Sequence, residues 1–245
     1  MSLSTSDIQF DIKKLGPLPL IKHFLNLLGV RESVDSLCPQ GKHLISHGEC
    51  VEGLVMGLFL GTHTLYSLQE VFSEYDLDWL FQKTMDPENF NDSRLGNALD
   101  AIYDHAPTIY GDIITRAIRE FKLDLRSLNL DGTKILLYGE YDTPENYMEH
   151  AETIAYPMRG WNHEGRKDLK QLSFQLMVTG EQIPVLYSVA DGNASETEEY
   201  QKVMKRLHTI NGDLQKSVLV ADSKMCSAPT LIDATEQKLR LVTLV

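Results

Sequence analysis

Residues 126 to 141 read Arg126-Ser127-Leu128-Asn129-Leu130-Asp131-Gly132-Thr133-Lys134-Ile135-Leu136-Leu137-Tyr138-Gly139-Glu140-Tyr141. Leu128 and Leu130 fall on one side of an extended chain, and Asn129, Asp131 and Thr133 fall on the other, because side chains alternate with a period of two in a strand. The stretch therefore predicts a β-strand with an apolar face for packing and a polar face free for chemistry.

Upstream the period is different. From Pro17 to about Phe121 apolar residues recur at helical spacing, as in Ile21, Phe24, Leu25 and Leu28. Ser46 with Glu49, ahead of Val51, Leu54, Val55 and Leu58, predicts a capping box, in which hydroxyl and carboxylate satisfy orphan backbone donors reciprocally. Ser67 with Glu70 carries the same signal. Further helices are predicted from Asp92 to His105 and from Pro107 to Phe121, proline suiting a first-turn position.

Downstream, strands are predicted near Leu169 to Thr179 and Ile183 to Ala190, with a tight turn around Gly180. Ser195 and Glu198 predict another capping box and a helix to about Ile210, ending near Asn211-Gly212. Ser217 to Ala221 reads as a strand buried on both faces, with Asp222 at its end. A short helix from Pro229 to Lys238 and an apolar stretch from Leu239 to Val245 follow. The order strand, strand, strand, helix, strand, helix, strand is an α/β pattern of ribonuclease-H type. The expected class is α+β or α/β, with a helical N-terminal domain over 1–125 and an incomplete ribonuclease-H-like mixed-sheet core over 126–245.

The chain has 245 residues, 42% of them hydrophobic, enough for a core. Net charge is −12, with 10 basic against 18 acidic residues up to Leu125 and 13 against 17 after it. Neither half is a free-standing DNA-coating module, since phosphate neutralisation demands a basic surface. Any nucleic-acid role has to rest on a local basic cluster, on a cation-filled acidic site, or on sequence outside this chain. No long uncharged apolar window or signal-type start occurs, so no membrane role is expected and the expected location is cytoplasmic. Cys38, Cys50 and Cys226 are an odd count at irregular spacing and read as reduced thiols.

Leu130-Asp131-Gly132-Thr133 with Tyr138-Gly139-Glu140-Tyr141 resembles the first catalytic-aspartate strand of insertion-sequence DDE transposases. Arg166-Lys167-Asp168-Leu169-Lys170-Gln171, Ile183-Pro184 and Gly192-Asn193 are similar to the segments that follow it there, and Val220-Ala221-Asp222-Ser223 to the second aspartate's strand end. Asn91-Asp92-Ser93-Arg94-Leu95-Gly96 and Leu99-Asp100 resemble the preceding helical domain. The resemblance implies that Asp131 and Asp222 are catalytic and bind Mg2+ or Mn2+. It implies action on DNA, at element terminal repeats and target sites, by phosphodiester hydrolysis and strand transfer. A third acid, a glutamate on a later helix, is expected beyond Val245, so the chain alone is expected to cleave little or no DNA.

Two neighbouring carboxylates repel each other and so imply a divalent cation between them. Each aspartate singly is also an ordinary cap or turn residue. In the resembled family the third acid arrives after further strands, so the resemblance does not give that role to Glu236, on the helix just after Asp222. Arg166, Lys167 and Lys170 form the clearest basic cluster and, with Trp161 and His163, are candidates for contacting DNA; a solvated loop is the competing reading. Gly192-Asn193 reads as a turn or as an amide near the metal. Cys38, His43, His47 and Cys50 have the residue types of a zinc knuckle, but Cys50 falls inside the Ser46-capped helix. The apolar helical faces suit a core and also a homodimer, or pairing with a full-length copy, since transposases join two DNA ends. A non-catalytic regulatory relic is the alternative reading.

Overall fold

The computed structural model describes residues 12–141, 155–207, 217–236 and 239–243. The chain divides into two compact units, Met1–Arg116 and Ala117–Val245.

The first unit is helical: α1 (Leu18–Leu27), α2 (Val30–Leu37), α3 (His47–Phe59), α4 (Leu65–Phe72), α5 (Leu77–Phe81), α6 (Asp92–Tyr103) and most of α7 (Ala106–Phe121). The Ser46 box forms as predicted, with Glu49 N donating to Ser46 Oγ at 3.1 Å and Ser46 N donating to Glu49 Oε2 at 2.8 Å. The Ser67 box does not. Helix α4 starts three residues earlier, with Thr64 at its N-cap and Leu68 and Phe72 buried, so Ser67 sits inside the first turn and donates back to Thr64 O at 3.1 Å. Helix α3 runs through the core, where Phe72 and Phe90 meet edge to face at 4.9 Å. Its Gly53 allows that approach, because a Cβ there would lie 2.5 Å from Phe90.

The second unit is built on a five-stranded sheet ordered β3-β2-β1-β4-β5. Its strands are β1 (Ser127–Leu137), β2 (Lys170–Thr179), β3 (Pro184–Asp191), β4 (Val218–Ala221) and β5 (Arg240–Thr243). β1, β2 and β3 are antiparallel neighbours, while β4 runs parallel to β1 and β5 parallel to β4. Helix α8 (Glu196–Arg206) joins β3 to β4, and α9 (Ala228–Glu236) joins β4 to β5. This is the α+β arrangement expected, a helical N-terminal region followed by a ribonuclease-H-like mixed sheet.

Leu128 and Leu130 are buried, and Asp131 and Thr133 exposed, as the alternation required. Ser195 stands at the N-cap of α8 but its hydroxyl makes no capping bond. Glu196, Glu198 and Glu199 in the first turn and Lys205 and Arg206 in the last instead complement the helix dipole. The predicted end of this helix near Asn211-Gly212 lies outside the described residues.

Candidate metal centre

The geometry of the site follows from one ladder. Leu130 pairs with Ala221 as the last rung of the parallel β1–β4 register, so Asp131 and Asp222 each follow directly on that rung. Asp222 is still extended (φ −70°, ψ 176°), and the charges of both Asp222 and Asp131 act on the Tyr200 phenol. A parallel β4 beside β1 is what brings residues 91 positions apart to one rung. Asp131 is exposed and Asp222 half-buried. Asp131 Oδ1 accepts from Gly132 N at 2.8 Å and Asp222 Oδ1 from Lys224 N at 3.1 Å, so backbone amides orient both carboxylates.

Tyr200, Glu196, Thr197 and Lys224, which sequence reasoning missed, lie near these carboxylates. Tyr200 of α8 is 1% exposed, and its hydroxyl oxygen is 3.3 Å from where a Gly132 Cβ would stand. Burial pushes the Tyr200 phenol well above its usual range, reinforced by the negative charges of Asp222, Glu196 and Asp131. Glu196, in the first turn of α8, is ion-paired with Lys224. Thr197 Oγ1 donates to Lys224 O at 3.3 Å, so the start of α8 is tied to the turn that holds Asp222. The only advance signal was the helical stripe Tyr200, Val203, Met204 and Leu207, which marks Tyr200 as inward-facing.

The predicted DNA-contacting residues divide into two groups. The Trp161 ring, 60% exposed, lies 5.3 Å under Lys224 Nζ and 4.5 Å from His163, so it neighbours the Asp222 turn. Arg166 is held by Asp168 in a two-pronged pair (Nε–Oδ1 2.9 Å, Nη2–Oδ2 2.7 Å) and stacks over Tyr138 at 5.7 Å. Lys170 Nζ donates to the carbonyl of Tyr141, while Lys167 is exposed. Lys170 pairs with Leu137, six residues beyond Asp131 on β1, which is about 20 Å along a strand. The Arg166–Lys170 group therefore sits at the far end of the β1–β2 hairpin from the carboxylates.

Gly192 turns the chain at a close crossing. Its amide donates to Tyr156 O at 3.2 Å, and a Cβ would stand 2.0 Å from Gln171 O. Among the described residues no group of three or more His, Cys, Asp or Glu side chains could hold a metal ion, which also bears on the zinc-knuckle reading. Cys38 Sγ donates to Ala101 O at 3.2 Å, and Cys50 is buried in α3 with its thiol pushed up to about 11 by burial. Glu236 is exposed at the end of α9.

Residues 10–115 match the family described as a domain of unknown function (DUF4277). No curated protein matches the chain. Among solved structures it is similar to a pre-cleavage Mos1 transpososome, at 9% identity and a TM-score of 0.31, over 82% of this chain and 60% of that one. It is also similar to a Mos1 mariner paired-end complex with Mn, at 12% identity and a TM-score of 0.29, over 84% and 62%. The chain thus spans about three-fifths of the Mos1 chains, and these TM-scores carry no structural argument.

Proposed function

We propose that this chain bears the catalytic core of a DDE-class transposase, acting on DNA by phosphodiester hydrolysis and strand transfer. The supporting observation is the register of β1 and β4, in which Leu130 and Ala221, the residues just before Asp131 and Asp222, are paired. Two carboxylates following one rung offer hard oxygen ligands of the kind Mg2+ or Mn2+ prefers. Asp131 would hold both ions of a two-metal centre and Asp222 one of them, with a third acid supplied by another segment or chain. The ions, when bound, supply Lewis acidity and an activated water for in-line displacement at phosphorus. Tyr200 backs the strand at Gly132, and the Glu196–Lys224 pair fixes the turn that aims Asp222. Trp161 beside Lys224 offers an aromatic face and a cation to the DNA at the edge of the centre. Pairing with a second copy and a cytoplasmic location belong to the same reading.

Mn2+ titrated into the 15N-labelled chain tests the centre, through paramagnetic broadening of amide signals. The amides of Gly132 and Ser223 are expected to broaden first, and Asp131→Asn or Asp222→Asn to abolish the effect. Broadening that begins elsewhere, or survives Asp131→Asn, overturns the assignment. Likewise, any Mn2+-dependent nicking of supercoiled plasmid has to vanish in both variants.

A further inference from the structure

Beside the Asp222 turn an indole is held out to solvent. Trp161 is 60% exposed even with Lys224 Nζ 5.3 Å from its ring centre and His163 edge-on at 4.5 Å. A tryptophan side chain is highly buried on average, so this one forgoes the burial its surface would ordinarily gain.

The backbone that carries the ring is fixed by two buried amides, Gln171 and Asn162. Gln171 Nε2 donates to Trp161 O at 3.0 Å and to Gly192 O at 2.7 Å, and Gln171 Oε1 accepts from Asn162 Nδ2 at 3.0 Å. Asn162 Oδ1 accepts from Arg166 N at 3.0 Å, which closes the turn after the tryptophan. On its other side Gly160 packs so closely that a Cβ there would stand 2.8 Å from both Gln171 Nε2 and Gly192 O. The chain on each side of Trp161 is thus built into the protein while the ring stays in solvent. A platform already fixed loses little conformational entropy when a ligand settles on it.

Lys224 ties this platform to the carboxylates. Its amide N donates to Asp222 Oδ1 at 3.1 Å, while its Nζ pairs with Glu196 and lies over the indole. An ammonium has three donors, and one carboxylate does not exhaust them. A cation and a π-surface therefore stand together within two residues of Asp222, a combination that suits a nucleotide, phosphate to the ammonium and base to the indole. Inside a duplex each base is already stacked on both sides, so only a base taken out of the stack can offer its face to a tryptophan.

We infer that Trp161 stacks on an unpaired base of the DNA strand held at the Asp131–Asp222 centre, with Lys224 on the adjoining phosphate. The centre thereby takes single-stranded or opened DNA in preference to intact duplex. The stacking platform stands on the geometry of the Trp161 loop; its assignment to DNA rests on the proposed function.

The test uses the whole chain, at low salt and in EDTA. The sequence has two tryptophans and Trp79 is an exposed one, so Trp79→Phe leaves Trp161 as the sole emitter. Single-stranded oligothymidine is expected to quench that emission, whereas an abasic strand of equal length and the oligothymidine–oligoadenosine duplex are not. In anisotropy with fluorescein-labelled oligothymidine, Trp161→Ala is expected to weaken binding roughly 5- to 150-fold, the range set by losing one base–aromatic stack, and Trp161→Phe to keep most of the affinity. Lys224→Gln, by removing one phosphate contact, is expected to flatten the salt dependence by about 0.7. The Trp161 side chain lies mostly in solvent, so its variants report on stacking and not on folding.

Quenching that is absent with oligothymidine, or equal with the abasic strand or the duplex, overturns the stack, as does unchanged affinity in Trp161→Ala. Tighter binding of oligouridine RNA than of oligothymidine overturns the assignment to DNA. Because no divalent ion is present, this experiment and the Mn2+ titration fail separately: success here with failure there sinks the catalytic reading alone.

Discussion

Glu52 is wholly buried in α3, at 0% exposure, between two cations from other helices. Lys22 Nζ of α1 reaches Oε1 at 2.6 Å, and Arg31 of α2 grips Oε2 through Nε at 3.0 Å and through Nη2. Both cations also lie over the Phe81 ring, at 5.4 and 5.7 Å. Glu52→Gln keeps the shape but turns an N–H2 donor toward one cation and removes the charge that both need. Breaking one partner of a buried pair costs about 3–5 kcal/mol. Arg31 is partly solvated, its side chain 28% exposed, so the lower figure, about 3 kcal/mol, applies. With Met1–Arg116 as the melting unit, an unfolding entropy of about 2.1 cal/mol/K per residue gives roughly 0.24 kcal/mol/K, hence a fall of about 12 °C in Tm. The complementary experiment replaces the triad by Lys22→Met, Arg31→Met and Glu52→Leu together. Because desolvation cancels much of a buried pair's Coulomb gain, the triple variant is expected to regain most of the loss. Scanning calorimetry of the three proteins decides the matter. A Glu52→Gln Tm within about 3 °C of wild type, or a triple variant less stable than the single one, refutes the reasoning.

Gly192→Ala drives a Cβ to 2.0 Å from Gln171 O and 2.3 Å from Met158 O, both backbone atoms. It is expected to cost about 1–3 kcal/mol in urea unfolding, and a neutral result means that this crossing is not formed in solution. Asp168 has its carboxyl pulled down to about 2, chiefly by its hydrogen bonds from Arg166. A depressed acid supports the folded state above the unfolded value and stops doing so as pH falls through the folded one. The Arg166–Asp168 pair is therefore expected to persist until about pH 2, and a 13C titration of Asp168 that returns toward 3.8 in Arg166→Gln checks it.

β1 was legible because its two faces differ in chemistry, and a period of two in so short a stretch has one interpretation. β2 was legible as a strand but misleads about its faces. Leu172, Phe174, Leu176 and Val178 alternate with Gln171, Ser173, Gln175 and Thr179, and it is the polar set that is buried. Gln171 Nε2 donates to Trp161 O at 3.0 Å and Gly192 O at 2.7 Å, while Ser173 Oγ accepts from Lys134 Nζ and Gln175 Nε2. The partners of Gln171 lie on other segments, so no local pattern announces that this buried glutamine will be satisfied. The Ser67 capping signal failed for a similar reason. Ser-x-x-Glu specifies a helix start only where the helix begins at that serine, and at Ser67 the buried stripe of Leu68 and Phe72 places the start at Thr64.

The candidate site follows the same division. Each aspartate could be picked out at its predicted strand, since a strand carries its own periodicity, but their adjacency depends on β4 lying parallel to β1 with Leu130 opposite Ala221. A shift of that ladder by one residue would turn Asp222 to the other face of the sheet. Ser217 Oγ donating to Leu125 O at 2.7 Å and Val218 N donating to Arg126 O at 2.8 Å pin the register at its first rung. Ser217→Ala is thus a change remote from the carboxylates that bears on their alignment. Local chemistry names the candidates, whereas a backbone ladder joining residues 91 positions apart in sequence decides whether they meet.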